Sequence, residues 1–329
     1  MRIEVPPVEE VRPGVWAIPI PMPGSLVYVC TYLVETDDGP LLIDAGWDGE
    51  APLAALEAGV RTAGYSLADL QGVLFTHGHP DHYGLVRRLR ERTGAWFALH
   101  EADVAHGAVS DAYRSNGDHL ARALDGFGCT PEEREAIVSG MPKLSVRGDF
   151  PRPDRFIGDA DVFAVSGGEL LAVHTPGHAP GHVCFVHRGA GVVFTGDHVL
   201  SLTTPHIPAS PASAESPLDD YLDSLRRIIA HGELLGLPAH EGPVHVGTRA
   251  QELLEHHDAR LAEALAALAD GELTIREVAE RMTWSMPFAT YGPLDVMLAM
   301  SEALAHLLHL RRRGLVARSD GKPYRWRLA

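Results

Sequence analysis

Apolar runs separated by glycine-containing turns predict β-structure in the first 46 residues. Three runs rich in β-branched and aromatic residues lie at 15–18, 26–34 and 41–44. Apolar positions then recur at helical spacing from Ala51 to Ala63, which predicts a helix. A short apolar run at 72–75 predicts a buried strand, and residues 83–92 predict a second helix. These patterns together favour a sheet with helices packed against it.

Helical spacing and polar turns replace the strand pattern between residues 101 and 147. Thr130 and Pro131, followed by two glutamates, are typical of a helix start, because proline fits the first helical position. We expect a helical insertion that covers the opening of a site. Two interpretations stay open: a lid that carries substrate contacts, or a simple covering layer.

The strand pattern returns after the insertion and gives way to helices near the end of the chain. Strands are predicted at 161–165, 170–173, 183–187 and 192–194, with a helix at 218–230. From Gln251 the pattern is helical, and Thr274 with Glu277 matches a capping box. A longer helix from Asp295 to Arg313 and a hairpin at 315–328 follow. Three helices followed by a hairpin are typical of a winged-helix arrangement.

Three histidines and an aspartate cluster directly after the predicted strand at 72–75. His77 and His79 lie two positions apart in an extended turn, so their side chains can point at the same place. Imidazole and carboxylate are ligands that zinc and similar divalent metals take from proteins. Asp81 and His82 follow too closely to complete the same tetrahedron, so they suggest a second ion. Two adjacent metals form a hydrolytic centre.

Further ligand-type residues follow predicted strands or Gly/Pro turns downstream, where a sheet presents catalytic groups. These candidates are His174, His178, His182, Asp197, His198 and His240. Asp44 ends an apolar run, and two roles for it stay open. It could cap a turn or hold a ligand histidine in orientation.

The stretch from His77 to His82 resembles the His-x-His-x-Asp-His signature of the metallo-β-lactamase superfamily, and similar motifs extend over roughly residues 10–248. The resemblance implies an α/β fold, an αββα sandwich of two mixed sheets with helices outside. It also implies one metal site made of His77, His79 and His178. A second site would contain Asp81, His82 and His240, with Asp197 bridging the two metals. His174, His182 and His198 are interpreted as neighbours of the ligands.

Composition limits the class of protein and its compartment. The chain has 329 residues, of which 45% are hydrophobic, and a formal charge of −16. This charge disfavours a nucleic-acid partner, since it repels phosphate backbones. We expect a cytoplasmic protein without a membrane partner, because no signal peptide or long apolar run is visible. The three cysteines are far apart and predict neither a disulfide framework nor a thiolate metal site.

Two domains are predicted: a catalytic domain over 1–248, with the helical insertion at 101–147, and a winged-helix-like domain over 249–329. The tail resembles that of lactamase-fold proteins with an appended winged helix, among them a mitochondrial endoribonuclease. A nucleic-acid role would use Arg311, Arg312, Arg313, Lys322, Arg325 and Arg327. The alternative, a tail that supports the catalytic domain or a homodimer, is favoured because nucleic-acid modules are usually clearly basic.

The predicted function is that of a dinuclear-metal-dependent hydrolase in which a metal-bridging hydroxide attacks a small-molecule thioester, ester or lactone. Asp81 and Asp197 are the predicted catalytic residues, and Asp81 or a metal-bound water would return a proton to the leaving group. Two divalent ions are expected, with zinc favoured and iron or manganese as alternatives. The motifs are similar to those of hydroxyacylglutathione hydrolases, although Leu85 stands where that family often has a second glycine.

Two other functions remain as alternatives. A metal-dependent endoribonuclease is suggested by the tail and opposed by the acidic first part of the chain. A non-catalytic binding or electron-transfer protein is opposed by the complete set of ligand-type residues.

Overall fold

The computed structural model describes residues 4–24, 26–105, 123–140, 151–210 and 216–329. The chain forms two compact units. The first consists of Met1–Ala112, Gly148–Pro205 and Ser224–Ala250, and the second of Tyr113–Arg147, His206–Asp223 and Gln251–Ala329. Residues 206–223, which the sequence analysis grouped with the catalytic domain, thus belong to the second unit. The functional division at residue 248 stays a prediction.

The first unit contains a seven-stranded mixed sheet whose spatial order follows the chain. Its strands are β1 (Glu9–Arg12), β2 (Val15–Pro21), β3 (Tyr28–Val34), β4 (Leu41–Ile43), β5 (Gly72–Leu74), β6 (Trp96–Leu99) and β7 (Arg155–Phe156). Strands β1 to β4 pair antiparallel, and β4 to β7 pair parallel. The strands predicted at 15–18, 26–34, 41–44 and 72–75 are therefore confirmed.

A second sheet of six strands completes the first unit. In chain order its strands are β8 (Val162–Val165), β9 (Gly168–His174), β10 (Val183–His187), β11 (Val192–Gly196), β12 (Leu235–Pro238) and β13 (Val244–His245). They lie in the order β13-β12-β11-β10-β9-β8, and only β11 and β12 pair parallel. The four strands predicted after residue 160 are confirmed.

One hydrophobic core joins the facing sides of these two sheets. Tyr32 of β3 and Phe194 of β11 pack with their ring centroids 5.1 Å apart. Leu74 of β5 and Phe185 of β10 belong to the same buried cluster. Burial of such large side chains stabilises the fold by roughly 1.5–3 kcal/mol each. The mixed α/β sheet sandwich expected from the sequence is confirmed.

Helices of the first unit flank the sheet and the ligand-bearing turn. They are α1 (Glu50–Thr62), α2 (Pro80–Tyr83), α3 (Val86–Arg90) and α4 (Glu101–Ala105), with a 3-10 turn at Leu67–Asp69. The helix expected at 83–92 is confirmed in part as α3, but its predicted start is wrong, because Tyr83 ends α2 and a turn at 84–85 separates the two helices. At Gly84, between them, an added Cβ would lie 2.3 Å from the carbonyl oxygen of Pro80. The same Cβ would lie 2.5 Å from the Asp48 nitrogen and 2.8 Å from the Gly46 carbonyl oxygen, so this close backbone approach favours glycine.

Residues 123–127 are helical, and further described helices lie after residue 130. They are α5 (Pro131–Gly140), α6 (Pro217–Ile229), α7 (Val246–Ala267), α8 (Ile275–Arg281) and α9 (Pro293–Arg312), with a 3-10 turn at Phe288–Thr290. Thr274 caps α8, because its hydroxyl accepts from the Glu277 N–H while the Glu277 carboxylate accepts from the Thr274 N–H. The predicted capping box is confirmed. Among the described residues, no helix is long and apolar enough to cross a membrane.

A small antiparallel sheet belongs to the second unit. Its strands are β14 (Leu273–Thr274), β15 (Val316–Arg318) and β16 (Arg325–Leu328), in the order β14-β16-β15. The hairpin expected at 315–328 is present, and Trp326 of β16 is fully buried. The strand β14 was not predicted. The winged-helix assignment of this unit stays a prediction.

The predicted insertion at 101–147 is only partly described. Helices α4 and α5 confirm its helical character at both ends. Residues 106–122 and 141–147 lie outside the described residues. The choice between a lid and a covering layer therefore stays open.

Candidate metal centre

The segment that follows β5 and includes α2 carries four of the seven predicted ligands. His77 and His79 lie in the extended segment after β5, where His79 is the N-cap of α2, and Pro80 occupies the first helical position. Asp81 and His82 lie in the first turn of that helix. Proline suits the first helical position and keeps the residue before it extended, so the helix begins directly after His79. The chain therefore presents two groups of ligand-type side chains within six residues.

The first group consists of His77, His79 and His178. The His79 Nδ1 lies 2.9 Å from the His77 Nε2 and 3.0 Å from the His178 Nε2. Two ligand nitrogens around a tetrahedral ion with bonds of about 2.0–2.1 Å are about 3.3 Å apart, so the triad is close to that geometry. Burial, followed by the neighbouring imidazoles, lowers the pKa of His77 well below its usual value and that of His79 to about 3. Both rings are thus in the neutral form that binds metals.

The second group consists of Asp81, His82, Asp197 and His240. The His240 Nε2 lies 3.3 Å from the Asp81 Oδ2 and 3.5 Å from the Asp197 Oδ1. The His82 Nε2 lies 3.7 Å and 3.5 Å from the same two oxygens. Two carboxylate oxygens and two imidazole nitrogens thus face a common point, as a divalent metal requires.

Asp197 contacts both groups. Its Oδ1 faces His82 and His240, while its Oδ2 lies 3.6 Å from the His178 Nε2 of the first group. It follows β11 directly, and its side chain is almost entirely buried. A carboxylate in this place can contact two neighbouring ions at once, which is the role that the resemblance implied for it.

Three buried polar atoms in this group support a cation site. The His82 Nε2, the Asp197 Oδ1 and the His240 Nε2 have no hydrogen-bond partner among the described residues. Buried polar atoms usually have a hydrogen-bond partner, so three buried atoms that face one another without partners need an explanation. A divalent ion would satisfy all three. The residues therefore fit the metal that the sequence predicted.

Charge also favours a cation in the second group. Burial alone would raise the pKa of Asp81, but His82 and His240 lower it to about 2. Burial likewise opposes protonation of His82, yet Asp81, Asp44 and Asp197 raise its pKa well above the usual value. Without a metal, the carboxylates are thus compensated by protons on the imidazoles. A bound divalent ion would take the place of those protons.

Asp44 fixes the orientation of His82 and of the ligand turn. Its Oδ2 accepts a hydrogen bond from the His82 Nδ1 at 2.8 Å, and its Oδ1 accepts one from the Thr76 N–H at 2.8 Å. Asp44 therefore holds a ligand-type histidine in orientation, which is one of the two roles that the sequence left open. Asp44 has a left-handed backbone, with φ of 58°. Such strain is typical of functional positions.

We expect Asp44→Asn to weaken metal binding in the second group by about tenfold, since outer partners of ligand histidines are worth about 10- to 100-fold in affinity. The amide has one acceptor oxygen and cannot serve both His82 and Thr76. The measurement is metal content after dialysis against chelators of graded strength. Equal loss of both metals per chain would contradict this assignment.

Histidines predicted beside the ligands belong to neither group. The His182 Nδ1 hydrogen-bonds the Thr175 hydroxyl at 2.9 Å, and its Nε2 accepts from the Asp197 N–H at 3.2 Å. It therefore helps to position Asp197. The His174 Nε2 donates to the Pro180 carbonyl at 2.9 Å. His198 is buried, with its ring centroid 5.9 Å from that of His182.

Asp103 of α4 is a positioning residue that the sequence analysis missed. Its fully buried carboxylate accepts a hydrogen bond from the Gly78 N–H at 2.7 Å and another from the Gly181 N–H at 2.6 Å. Gly78 separates His77 from His79, and Gly181 lies three residues after His178. One side chain thus ties together the two turns of the first group. An aspartate in a first helical turn looks like an ordinary cap, so the pattern gave no signal of this role.

The chain is similar to known proteins of one superfamily over most of its length. The model of the metallo-beta-lactamase superfamily matches residues 25–240. A solved structure of a metallo-beta-lactamase family protein from Thermus thermophilus is 31% identical, with a TM-score of 0.78, and the match covers 97% of this chain and 100% of that one. The probable metallo-hydrolase YqjP of Bacillus subtilis is 26% identical over 88% of this chain and 90% of its own length.

A fungal relative carries a more specific name. The atrochrysone carboxyl ACP thioesterase AacuM of Aspergillus aculeatus is 32% identical over 60% of this chain and 58% of its own length. Members of the superfamily, including such thioesterases, are hydrolases. Because the family model spans more than half of the chain and includes all seven ligand-type residues, the chain belongs to the metallo-beta-lactamase superfamily and is a hydrolase of that superfamily.

Proposed function

We propose that this chain is a dinuclear-metal-dependent hydrolase of small-molecule thioesters, esters or lactones. The observation that carries the proposal is the position of Asp197, whose two carboxylate oxygens face different groups of ligand-type side chains. A single metal site would leave one of these groups without a purpose. Zinc is the proposed metal, because the ligands are imidazoles and carboxylates.

Each of the two groups would hold one metal ion. The imidazoles of His77, His79 and His178 would hold one ion, and Asp81, His82 and His240 the other. When bound, such ions supply a Lewis acid that polarises the substrate oxygen and makes hydroxide available from water near neutral pH. The protein's own contribution is to fix the ligands before the substrate arrives. Asp44, Asp103 and His182 do so by hydrogen bonds to the ligands or their turns.

Asp81 is the proposed proton carrier for the leaving group. Its side chain is 16% exposed, against 12% for Asp197 and 1% for His240, so it is the carboxylate of the second group most open to solvent. Its Oδ2 lies 3.3 Å from the His240 Nε2. Asp81 would first accept the proton that the attacking water releases and then pass it to the departing thiolate or alkoxide.

Substrate class is inferred from charge and from the relatives. The formal charge of −16 disfavours polymers rich in phosphate, and the fungal relative AacuM is named as a thioesterase. A small acyl thioester is therefore the first substrate to test. We also propose a reducing compartment such as the cytoplasm, because Cys30, Cys129 and Cys184 are all free thiols.

The test is a substrate panel run before and after metal removal. We expect the purified protein to hydrolyse at least one acyl thioester, ester or lactone and to lose at least about 100-fold of its rate after chelation, because the metals supply the attacking hydroxide. Return of about two zinc ions per chain should restore the rate. Activity that survives metal removal would refute the proposal. Cleavage of single-stranded RNA without any acyl hydrolysis would favour the nuclease alternative instead.

A further inference from the structure

The segment Leu200–Thr203 is held by the carboxylate of Glu241. The Glu241 Oε2 accepts from the Leu202 N–H at 2.5 Å and from the Ser201 hydroxyl at 3.1 Å, and the Oε1 accepts from the Thr203 N–H at 3.0 Å. Hydrogen bonds to a charged acceptor are roughly twice as strong as neutral ones. This segment therefore has a fixed backbone, although it contains neither helix nor strand.

The guanidinium of Arg249 holds the carbonyl groups of the same segment. It donates to Leu200 O at 2.8 Å, to Leu202 O at 3.4 Å and to Thr203 O at 2.9 Å. Two oppositely charged side chains thus fix both the donors and the acceptors of this backbone. Loops without such ties are normally among the most mobile parts of a protein. The observed arrangement indicates that the position of this loop matters.

Glu241 also has an unusual backbone. Its φ is 70°, in the left-handed region that favours glycine, and it follows the ligand-type residue His240 directly. Its carbonyl oxygen accepts from the Tyr28 hydroxyl at 2.7 Å. A residue other than glycine keeps this unfavourable conformation only where surrounding contacts hold it. Its position beside His240 places the clamped loop next to the second ligand group, and Asp197 precedes Leu200 by only three residues.

Leu202 is the apolar side chain that this loop exposes. It is 81% exposed, whereas the neighbouring Val199 and Leu200 are buried. A single exposed leucine needs no explanation by itself. Here, however, the backbone is fixed by the residue that directly follows His240. Hydrophobic side chains are what line most substrate subsites, so Leu202 can supply a contact for an apolar substrate group.

We propose that Leu200–Thr203 is a substrate-binding loop in which Leu202 contacts the acyl chain, and that Glu241 and Arg249 are its positioning residues. This inference rests on the proposed hydrolase function and names the part of the substrate that the loop selects. The substrate class is an acyl thioester or ester with an apolar chain of several carbons.

The test uses Leu202→Ser with thioesters of N-acetylcysteamine that carry acetyl, butanoyl or octanoyl chains. We expect the ratio of kcat/KM for octanoyl to that for acetyl to fall about tenfold, or about 1.4 kcal/mol. Val162→Ser is the matched control, because Val162 is also exposed, at 51%, in the first unit and lies on the edge strand β8. The control should keep the wild-type ratio.

Glu241→Gly tests the positioning role separately from folding. Glycine suits the left-handed backbone, so the fold should keep its Tm, while the loop loses its acceptor. We expect the octanoyl preference to fall as in Leu202→Ser, with the loss mainly in KM, since ground-state binding is removed. Glu241→Gln retains one acceptor oxygen and should recover part of the preference.

The outcomes separate the two proposals. If the wild-type protein hydrolyses no acyl substrate, the proposed function fails. If the wild type is active but Leu202→Ser leaves the chain-length ratio unchanged, or lowers all three rates equally, the loop inference alone is overturned. The same holds if Val162→Ser lowers the ratio as much as Leu202→Ser does.

Discussion

An Asp197→Asn protein is expected to lose at least about a thousandfold in kcat/KM for acyl hydrolysis. The amide has nearly the same shape as the carboxylate but no negative charge. Removing one oxyanion-hole donor from an enzyme typically costs about 10²–10³ in rate, and a larger loss is expected here because Asp197 contacts both ligand groups. Loss of its charge leaves Asp81 as the one carboxylate of the second ligand group, so metal content should fall below two per chain. Initial-rate kinetics and elemental analysis measure both effects.

Asp161→Asn is the control for this substitution. Asp161 also accepts a backbone N–H, from Gly158 at 2.7 Å, but it is exposed and lies beside β8 rather than at the site. The control should keep both metal content and rate. An Asp197→Asn protein with two metals and near wild-type kcat/KM would exclude a bridging role for this residue. The circular dichroism of both variants should match wild type, so that misfolding is not mistaken for lost chemistry.

The strands and the ligand turn could be predicted from the sequence, because both depend on local residue patterns. Strands β2 to β5 follow from runs of β-branched and aromatic residues bounded by turns, and both sheets are built from such runs. The ligand turn was recognisable because four ligand-type residues fall between His77 and His82. The structure brings His178, Asp197 and His240 to this turn, as the family resemblance implied. Their role as metal ligands stays a prediction that metal analysis can test.

Interactions between distant parts of the chain were not predictable in the same way. Asp103 lies 25 residues from Gly78 and 78 from Gly181, and nothing in the local pattern links them. The clamp of Glu241 on Leu202 likewise joins positions 39 residues apart. At the break between α2 and α3, the backbone of Gly84 closely approaches the backbone of Gly46 and Asp48, which are distant in sequence. Periodicity describes which face of an element is buried, not which groups of other elements meet it.

The second unit shows the same limit for chain organisation. The predicted domain boundary lies between residues 248 and 249. Residues 206–223 nevertheless belong to the second unit, where the Ala209 N–H donates to the Ser301 hydroxyl at 2.9 Å. His309 of α9 hydrogen-bonds Asp219 of α6 at 2.5 Å in the same unit. The composition of residues 206–223 does not show which unit they belong to, because a segment is assigned to a unit by its contacts.

Asp103→Asn is expected to lower metal affinity at the first group by about 100-fold, at the upper end of the range for outer partners of metal ligands. Its single amide oxygen can accept from Gly78 or from Gly181, but not from both. The other buried N–H would face the amide NH₂, which is a donor, and an unsatisfied buried group costs about 1–3 kcal/mol. We therefore expect both a lower Tm and weaker metal binding.

Metal titration distinguishes a positioning role of Asp103 from a general loss of stability. If Asp103 acts by holding the two turns of the first group, excess zinc should restore most of kcat and raise Tm, because binding to the native state stabilises it. Asp154→Asn is the matched control: Asp154 accepts from the Phe97 N–H at 2.9 Å in the same unit, away from the ligand turns. That variant should lose stability without any change in metal affinity. Should Asp103→Asn bind both metals as tightly as wild type, the two turns are held by the surrounding sheets alone.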